Sequence, residues 1–294
     1  MITFTPGLIS RVFFMENELK IGEYNRLRII KEVPFGLYLD GYEDEILLPL
    51  QYVPETYQID DILEVFIYRD SEDRIIATTL KPFATINQFA YLEVHSVTPL
   101  GVFLEWGLAK HLFVPFSQQF QKMTVGRSYL VYIYLDAQTD RIVASARVEK
   151  FLPVVDAESL FTIGDKIEVI PFEYTDLGIK CLVNNCVIGL LFKNQVFTKL
   201  NMGELTPVYI SNIRADGKLD LRLEPMGHVR VDNQITRVLD ALKENNGVLM
   251  LHDKSPAELI YDQLGMSKKD FKKAVGGLYK SKQITIHHDC ISLL

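Results

Sequence analysis

The sequence predicts a chain that is mainly β with a small α+β C-terminal domain: three tandem five-stranded barrels, then a helical module that ends in a β-hairpin. Three observations predict this. A fixed order of proline, glycine and turn signals recurs after about 65 residues. Within each copy the apolar residues alternate at period 2, the spacing of half-buried strands. From about Met226 the apolar period lengthens to that of helices, punctuated by capping residues. The expected domains are 18–83, 84–150, 151–226 and 227–294, preceded by an extension at 1–17.

The first copy begins at V-P-F-G-L-Y-L-D around Gly36 and closes on Pro49; the second begins at T-P-L-G-V-F-L-E around Gly101 and closes on Pro115. Downstream, E-V-F-I-Y-R-D-S-E-D-R-I-I-A-T-T-L pairs with V-Y-I-Y-L-D-A-Q-T-D-R-I-V-A-S-A-R. A weaker third copy follows Gly164, with D-L-G-I-K-C-L-V around Gly178, V-I-G-L-L-F around Gly189 and D-G-K-L-D-L-R-L around Gly217. Five short strands in about 65 residues make a small closed barrel rather than a βαβ unit.

The C-terminal region reads as three helices and a hairpin. Ile235, Val238, Leu239 and Leu242 give Val231–Asn245 a helical apolar face, stopped at Asn245-Asn246-Gly247. Ser255-Pro256-Ala257-Glu258 is a capping box opening a second helix that ends at Gly265. Ser267 and Asp270 open a third, with Phe271, Val275, Leu278 and Tyr279 on its apolar side. The hairpin runs from Ile284 to Leu293 with its tip at His287-His288-Asp289, and the whole is a winged-helix arrangement.

The repeat unit resembles the S1-type RNA-binding domain, a five-stranded OB-fold. Phe35-Gly36-Leu37-Tyr38-Leu39-Asp40 matches that family's F-G-x-F-V-x strand. Asp73–Thr78 and Asp140–Ser145 match its closing R-I-x-x-S strand. Three S1-like barrels, a winged helix and W-G-L-x-K-x-L-x-V-P at Trp106–Pro115 together resemble the bacterial conserved virulence factor B family over residues 18–294. That resemblance implies a cytoplasmic RNA-binding protein that influences gene expression and has no known catalytic centre. Residues 1–17 fall outside it, and Met15 is a candidate natural start.

In the matched family two aromatics and a histidine lie exposed on one barrel face. Phe35 and Tyr38 keep both aromatics in barrel one; barrel two has Leu100 and Phe103, barrel three Leu177 and Lys180. The histidine position falls on Leu48, Val114 and Phe192. Alternation offers a second platform: with Val65/Ile67 and Val131/Ile133 inward, Phe66/Tyr68 and Tyr132/Tyr134 turn outward. Outward aromatics stack bases or pack against a neighbouring element, and both readings stand. Arg74 and Arg141 are placed either for phosphate or for ion pairs with neighbouring aspartates. Lys268, Lys269, Lys272 and Lys273 share one face of the third winged-helix helix, suited to backbone attraction without sequence choice, or to plain solvation.

Length and charge bound the function. The chain has 294 residues, 48% hydrophobic, with 31 Lys+Arg against 38 Asp+Glu and a net charge of −7. This is a folded composition, and its acidity argues against tight nonspecific duplex binding. No run approaches the ~18 apolar residues of a membrane span, and Met1–Lys20 lacks a signal-peptide core. A cytoplasmic location, a monomer and no membrane partner are expected. Cys181, Cys186 and Cys290 lack C-x-x-C spacing, so packed thiols are expected rather than a disulfide scaffold or zinc ribbon. Phosphate-loop, dinucleotide, zinc-protease and serine-hydrolase motifs are absent from the sequence, and neighbouring residues of His287–Cys290 point to opposite strand faces. No enzyme, cofactor or metal site is read. The expected function is single-stranded RNA binding through the barrels, with the winged helix assisting. A protein-interaction scaffold or a duplex-DNA-binding regulator are the alternatives.

Overall fold

The computed structural model describes residues 18–196, 199–225 and 228–294. The expected extension at 1–17, with Met15, lies outside the described residues. The chain divides into two compact units at Arg147/Val148.

The first unit holds two barrels. Barrel one is β1 (Tyr24–Val33), β2 (Gly36–Asp40), β3 (Glu45–Pro49), β4 (Ile62–Arg69) and β5 (Ile75–Thr78), closed in the order β1-β2-β3-β5-β4. All its pairings are antiparallel except β3 with β5, where Leu47 faces Ile76. Alternate residues fill it: Leu27 and Ile29, Leu37 and Leu39, Ile46 and Leu48, Val65 and Ile67 all point inward. Barrel two repeats the plan with β6 (Gln88–Val97), β7 (Gly101–Leu104), β8 (Leu112–Pro115), β9 (Ser128–Asp136) and β10 (Arg141–Ser145). Its core of Leu92, Val94, Val102, Leu104, Leu112, Val114, Val131 and Ile133 is continuous with Phe66 and Tyr68 of barrel one through Trp106. Burying those large aromatics makes one hydrophobic cluster shared by two barrels.

The second unit holds barrel three and the winged helix. A short helix, α1 (Ala157–Leu160), is capped by the Asp156 carboxylate, which accepts from Glu158 N at 3.2 Å. It precedes β11 (Lys166–Tyr174), β12 (Gly178–Val183), β13 (Val187–Phe192), β14 (Thr206–Ile213) and β15 (Leu219–Arg222), closed like the other barrels. Cys181 lies in this core, where burial pushes its thiol up to about 12. Cys181 faces Gly189 across the β12–β13 pair and Cys186 sits in the turn, so the two thiols are not opposite one another.

The winged helix comprises α2 (His228–Glu244), β16 (Val248–Leu249), α3 (Ala257–Leu264), α4 (Lys268–Lys280), β17 (Ile284–Ile286) and β18 (Ile291–Leu293), with sheet order β16-β18-β17. Ser267 caps α4 reciprocally, accepting from Asp270 N at 3.2 Å and donating to its carboxylate at 2.7 Å. Gly265 ends α3 in the left-handed conformation, φ 58°. Two expectations are corrected. The Ser255 hydroxyl accepts from His252 N at 3.0 Å and caps no helix; Pro256 occupies the N-cap of α3. Tyr279 is exposed, because the apolar stripe of Phe271, Ala274, Val275 and Leu278 is already complete without it.

Candidate nucleic-acid interface

In barrel one the tight approach of β2 to β3 leaves Phe35, just before β2, 55% exposed, and Tyr38 half-buried beside it. Their rings meet edge-on with centroids 6.3 Å apart. Lys31 lies opposite Tyr38 in register, so its Nζ sits 4.7 Å over the Tyr38 ring while reaching Glu45 at 2.5 Å. An apolar surface with a cation at its edge is what a stacked base and its phosphate require.

In barrel two Leu100 is exposed where an aromatic stands in barrel one, but Phe103 gains a partner from the next strand. Phe113 on β8 faces Phe103 on β7, centroids 5.1 Å apart. The two rings line a cleft of about 420 Å³ together with Tyr68, Leu100, Lys110 and Arg141. Sequence reasoning missed Phe113; its signal was there, as an aromatic one residue before the histidine position of the repeat. Lys110 was passed over too. It is half-buried, which lowers its ammonium pKa, and donates to the Asp70 carbonyl at 2.6 Å.

In barrel three the platform is gone. Leu177 is exposed, Lys180 is tied to Glu149 and Glu173 at 3.2 Å each, and Phe192 lies 5.7 Å from the Arg214 guanidinium.

The fourth-strand platform needs correction. Phe66 and Tyr68 do point out of barrel one, yet they are 0% and 4% exposed. Trp106 of barrel two meets Phe66 edge-on at 5.8 Å and Tyr24 of β1 meets it at 5.6 Å, so Phe66 offers no face to a base, and Tyr68, though it borders the cleft, is almost wholly buried. Tyr132 and Tyr134 are half-buried; Tyr132 packs on Phe89 at 4.9 Å and donates to Asn87 at 3.3 Å. Both arginines are in ion pairs. Arg74 holds Asp70 at 2.7 Å and Glu72 at 3.0 Å. Arg141 bonds Asp73 of barrel one, Nε to Oδ1 at 3.1 Å, and this pairing holds the Asp73 carboxyl below the usual carboxylate range. Arg69 adds bonds to the Asp140 and Asp73 carbonyls at 3.1 and 2.9 Å. The cations between the barrels therefore also hold the barrels together.

On α4, Lys269, Lys272 and Lys273 are exposed and pair with no carboxylate among the described residues. Lys268 is half-buried, its ammonium donating to the Lys254 carbonyl at 3.3 Å. Gly276 continues the lysine face, with open space where a Cβ would stand. At the wing, His287 and Ser292 are 2.9 Å apart and Cys290 is half-buried. Among the described residues one trio of side chains of the types that can ligate a metal, His95, Glu105 and His111, converges on barrel two.

Residues 21–80 match the S1 domain family and residues 236–293 the CvfB-like winged helix domain family. The protein named YitL of Bacillus subtilis is 24% identical over 282 residues, 92% of each chain. Conserved virulence factor B of Staphylococcus saprophyticus is 27% identical over 247 residues, covering 81% of this chain and 82% of that protein. A crystal structure described as a multidomain protein with nucleic acid binding domains, from Streptococcus pneumoniae, aligns over 93% of this chain and 98% of its own, with 22% identity and a TM-score of 0.44.

Proposed function

We propose that this relative of the conserved virulence factor B proteins is a non-enzymatic, single-stranded-RNA-binding protein acting on gene expression after transcription. Its S1 domain and CvfB-like winged helix domain support a nucleic-acid-binding role. One observation carries the narrower reading: the Phe103–Phe113 pair lines an open cleft with Lys110 and Arg141 beside it. Exposed aromatic faces stack any unpaired base, and the flanking cations draw its phosphates in competition with the Asp70 carbonyl and the Asp73 carboxylate they now hold. A duplex offers no such base faces. The Phe35–Tyr38 pair provides a second platform on the equivalent strand of barrel one.

The winged helix assists through Lys269, Lys272 and Lys273, which attract a phosphate backbone without reading sequence.

The test is a competition on the full chain between an unstructured RNA, the same sequence as single-stranded DNA, and a duplex. RNA is expected to bind tightest, and Phe103→Ala or Tyr38→Ala to weaken it about fivefold or more, since a stacked base is worth ~1–3 kcal/mol. Binding that ignores both substitutions and added salt would sink the reading; duplex preference would move it to α4.

A further inference from the structure

We propose that barrel two carries a site for a divalent transition-metal ion of the imidazole-binding class, formed by His95, Glu105 and His111. Their ligand atoms all lie within 4.8 Å of one another, and each comes from a different part of the barrel wall. His95 falls at the β-bulge of β6, where the register against β7 shifts between Val94 and Ser96. A bulge re-aims the side chain it carries. Glu105 directly follows β7, its backbone N bonded to the Glu93 carbonyl at 2.9 Å. Its Oε1 accepts from Gly107 N at 2.9 Å, which leaves Oε2 directed at His111, 3.4 Å from Nδ1. His111 directly precedes β8, and its Nδ1 is buried with no hydrogen-bond partner. The Glu105 carboxylate thus lies beside the buried His111 Nδ1 without closing a hydrogen bond to it, and a metal ion between them would satisfy both.

Comparison between the barrels sharpens the point. All three barrels have the bulge, at Ile29/Lys31, Val94/Ser96 and Pro171/Glu173. The residues at the equivalent positions are Ile30, Asp40 and Glu45 in barrel one, and Phe172, Leu182 and Ile188 in barrel three. In barrel one the two carboxylates are satisfied by Arg28 and Lys31; in barrel three the positions are apolar. Barrel two alone has a His/Glu/His set there.

Two imidazoles and a carboxylate form a donor set that suits zinc and its neighbours, and three protein ligands leave a coordination position for water. A groove of about 330 Å³ lined by Phe83, Tyr91, Glu93 and Ser128 opens beside His95 and Glu105. The two rings are stacked, centroids 3.8 Å apart and planes 27° from parallel, so their in-plane lone pairs run side by side. Coordination requires a turn of the His95 ring, which is exposed and free to make it. The ion would join the two ends of the 105–111 loop. That loop carries Trp106, packed on Phe66, and Lys110, bonded to the Asp70 carbonyl, so the metal fixes a loop that holds barrel two to barrel one.

The experiment is calorimetric titration of zinc into the chelator-treated full chain, with magnesium in parallel, followed by thermal unfolding with and without zinc. The variants are His95→Ala, Glu105→Gln and, as a control for the wing histidines, His287→Ala with His288→Ala. The expected result is a zinc site that His95→Ala and Glu105→Gln each weaken by at least roughly tenfold, and that the wing variant leaves intact. Zinc should raise the midpoint of the wild type and not of His95→Ala, which removes an exposed side chain and leaves the fold unburdened. Magnesium should give no heat. Equal zinc stoichiometry and affinity in His95→Ala, or no binding at tenfold excess of zinc over protein, would overturn the proposal and leave the trio a simple ion-paired cluster.

Discussion

Two phenylalanines that point out of their barrels, Phe66 and Phe103, meet opposite surroundings. Phe66 points out of its own barrel, as alternation requires, but into the cluster that barrel two completes. Phe66→Ala should cost ~3–5 kcal/mol in denaturant unfolding. Phe103, half-exposed over the cleft, should lose little stability as alanine and most of its contribution to RNA affinity. Period-2 spacing shows which side of a strand a residue faces; it contains nothing about what covers that side, so the orientation of Phe66 and Tyr68 was legible and their burial was not. The arginines follow the same logic. Arg141 spans to Asp73, 68 residues away in sequence, a partner no local pattern reveals. Because that pairing depresses the Asp73 carboxyl, its contribution is complete above the unfolded carboxylate value of ~3.9 and is lost as pH falls through the lower folded value. The thermal midpoint of wild type should therefore exceed that of Asp73→Asn at neutral pH, with the gap closing as the pH drops below about 4. An exposed pair makes that gap small.

Each barrel keeps one glycine at the start of its second strand for a reason of space. A Cβ would stand 2.1 Å from the Leu48 carbonyl oxygen at Gly36, 2.4 Å from that of Val114 at Gly101, and 2.0 Å from that of Leu191 at Gly178. In all three the obstacle is backbone, which cannot swing aside. Gly36→Ala should therefore destabilise barrel one by ~1–3 kcal/mol or more, seen as a lower denaturant midpoint. This shared constraint explains why the repeat was legible: the glycine marks the same close approach in all three barrels, and a proline faces it at the end of the third strand in the first two, where Phe192 stands in the third. Elements without such punctuation were not foreseen. α1 has four residues and β16 two, too few for any periodicity to register. On α4 the cap and the lysine face were both readable, whereas the tether from Lys268 to Lys254 was not, since it reaches back 14 residues to the turn that precedes α3. Replacing Lys269, Lys272 and Lys273 together with Gln should flatten the salt dependence of RNA binding by about one unit of slope per lysine that contacts phosphate. No change in slope would leave α4 as a solvated face.

At the scale of the molecule, charge is divided by domain. Residues 226–294 hold 10 Lys+Arg against 8 Asp+Glu, a local +2 that leaves −9 on the first 225. Many of the barrels' cations are already committed: Arg69, Arg74 and Arg141 to acidic loops, Lys180 and Lys218 to Glu149. Such a surface cannot bind by neutralising a long run of phosphates, because each captured phosphate must compete with a carboxylate or carbonyl already in place. Under the function proposed above, binding would rest on a few stacking platforms, each weak by itself, with strength coming from linking them. Once one platform holds a strand, the next meets it at an effective concentration set by the intervening nucleotides. Affinity should therefore rise stepwise with RNA length, gaining more than the statistical factor once a strand spans the Phe35–Tyr38 and Phe103–Phe113 pairs. Tyr38→Ala should erase that step for long strands and matter much less for a strand too short to bridge. Fluorescence anisotropy on oligouridylates of graded length, at fixed salt, measures both. A smooth rise with length, unaltered in Tyr38→Ala, would mean that a single barrel binds alone and that the repeat serves architecture rather than recognition.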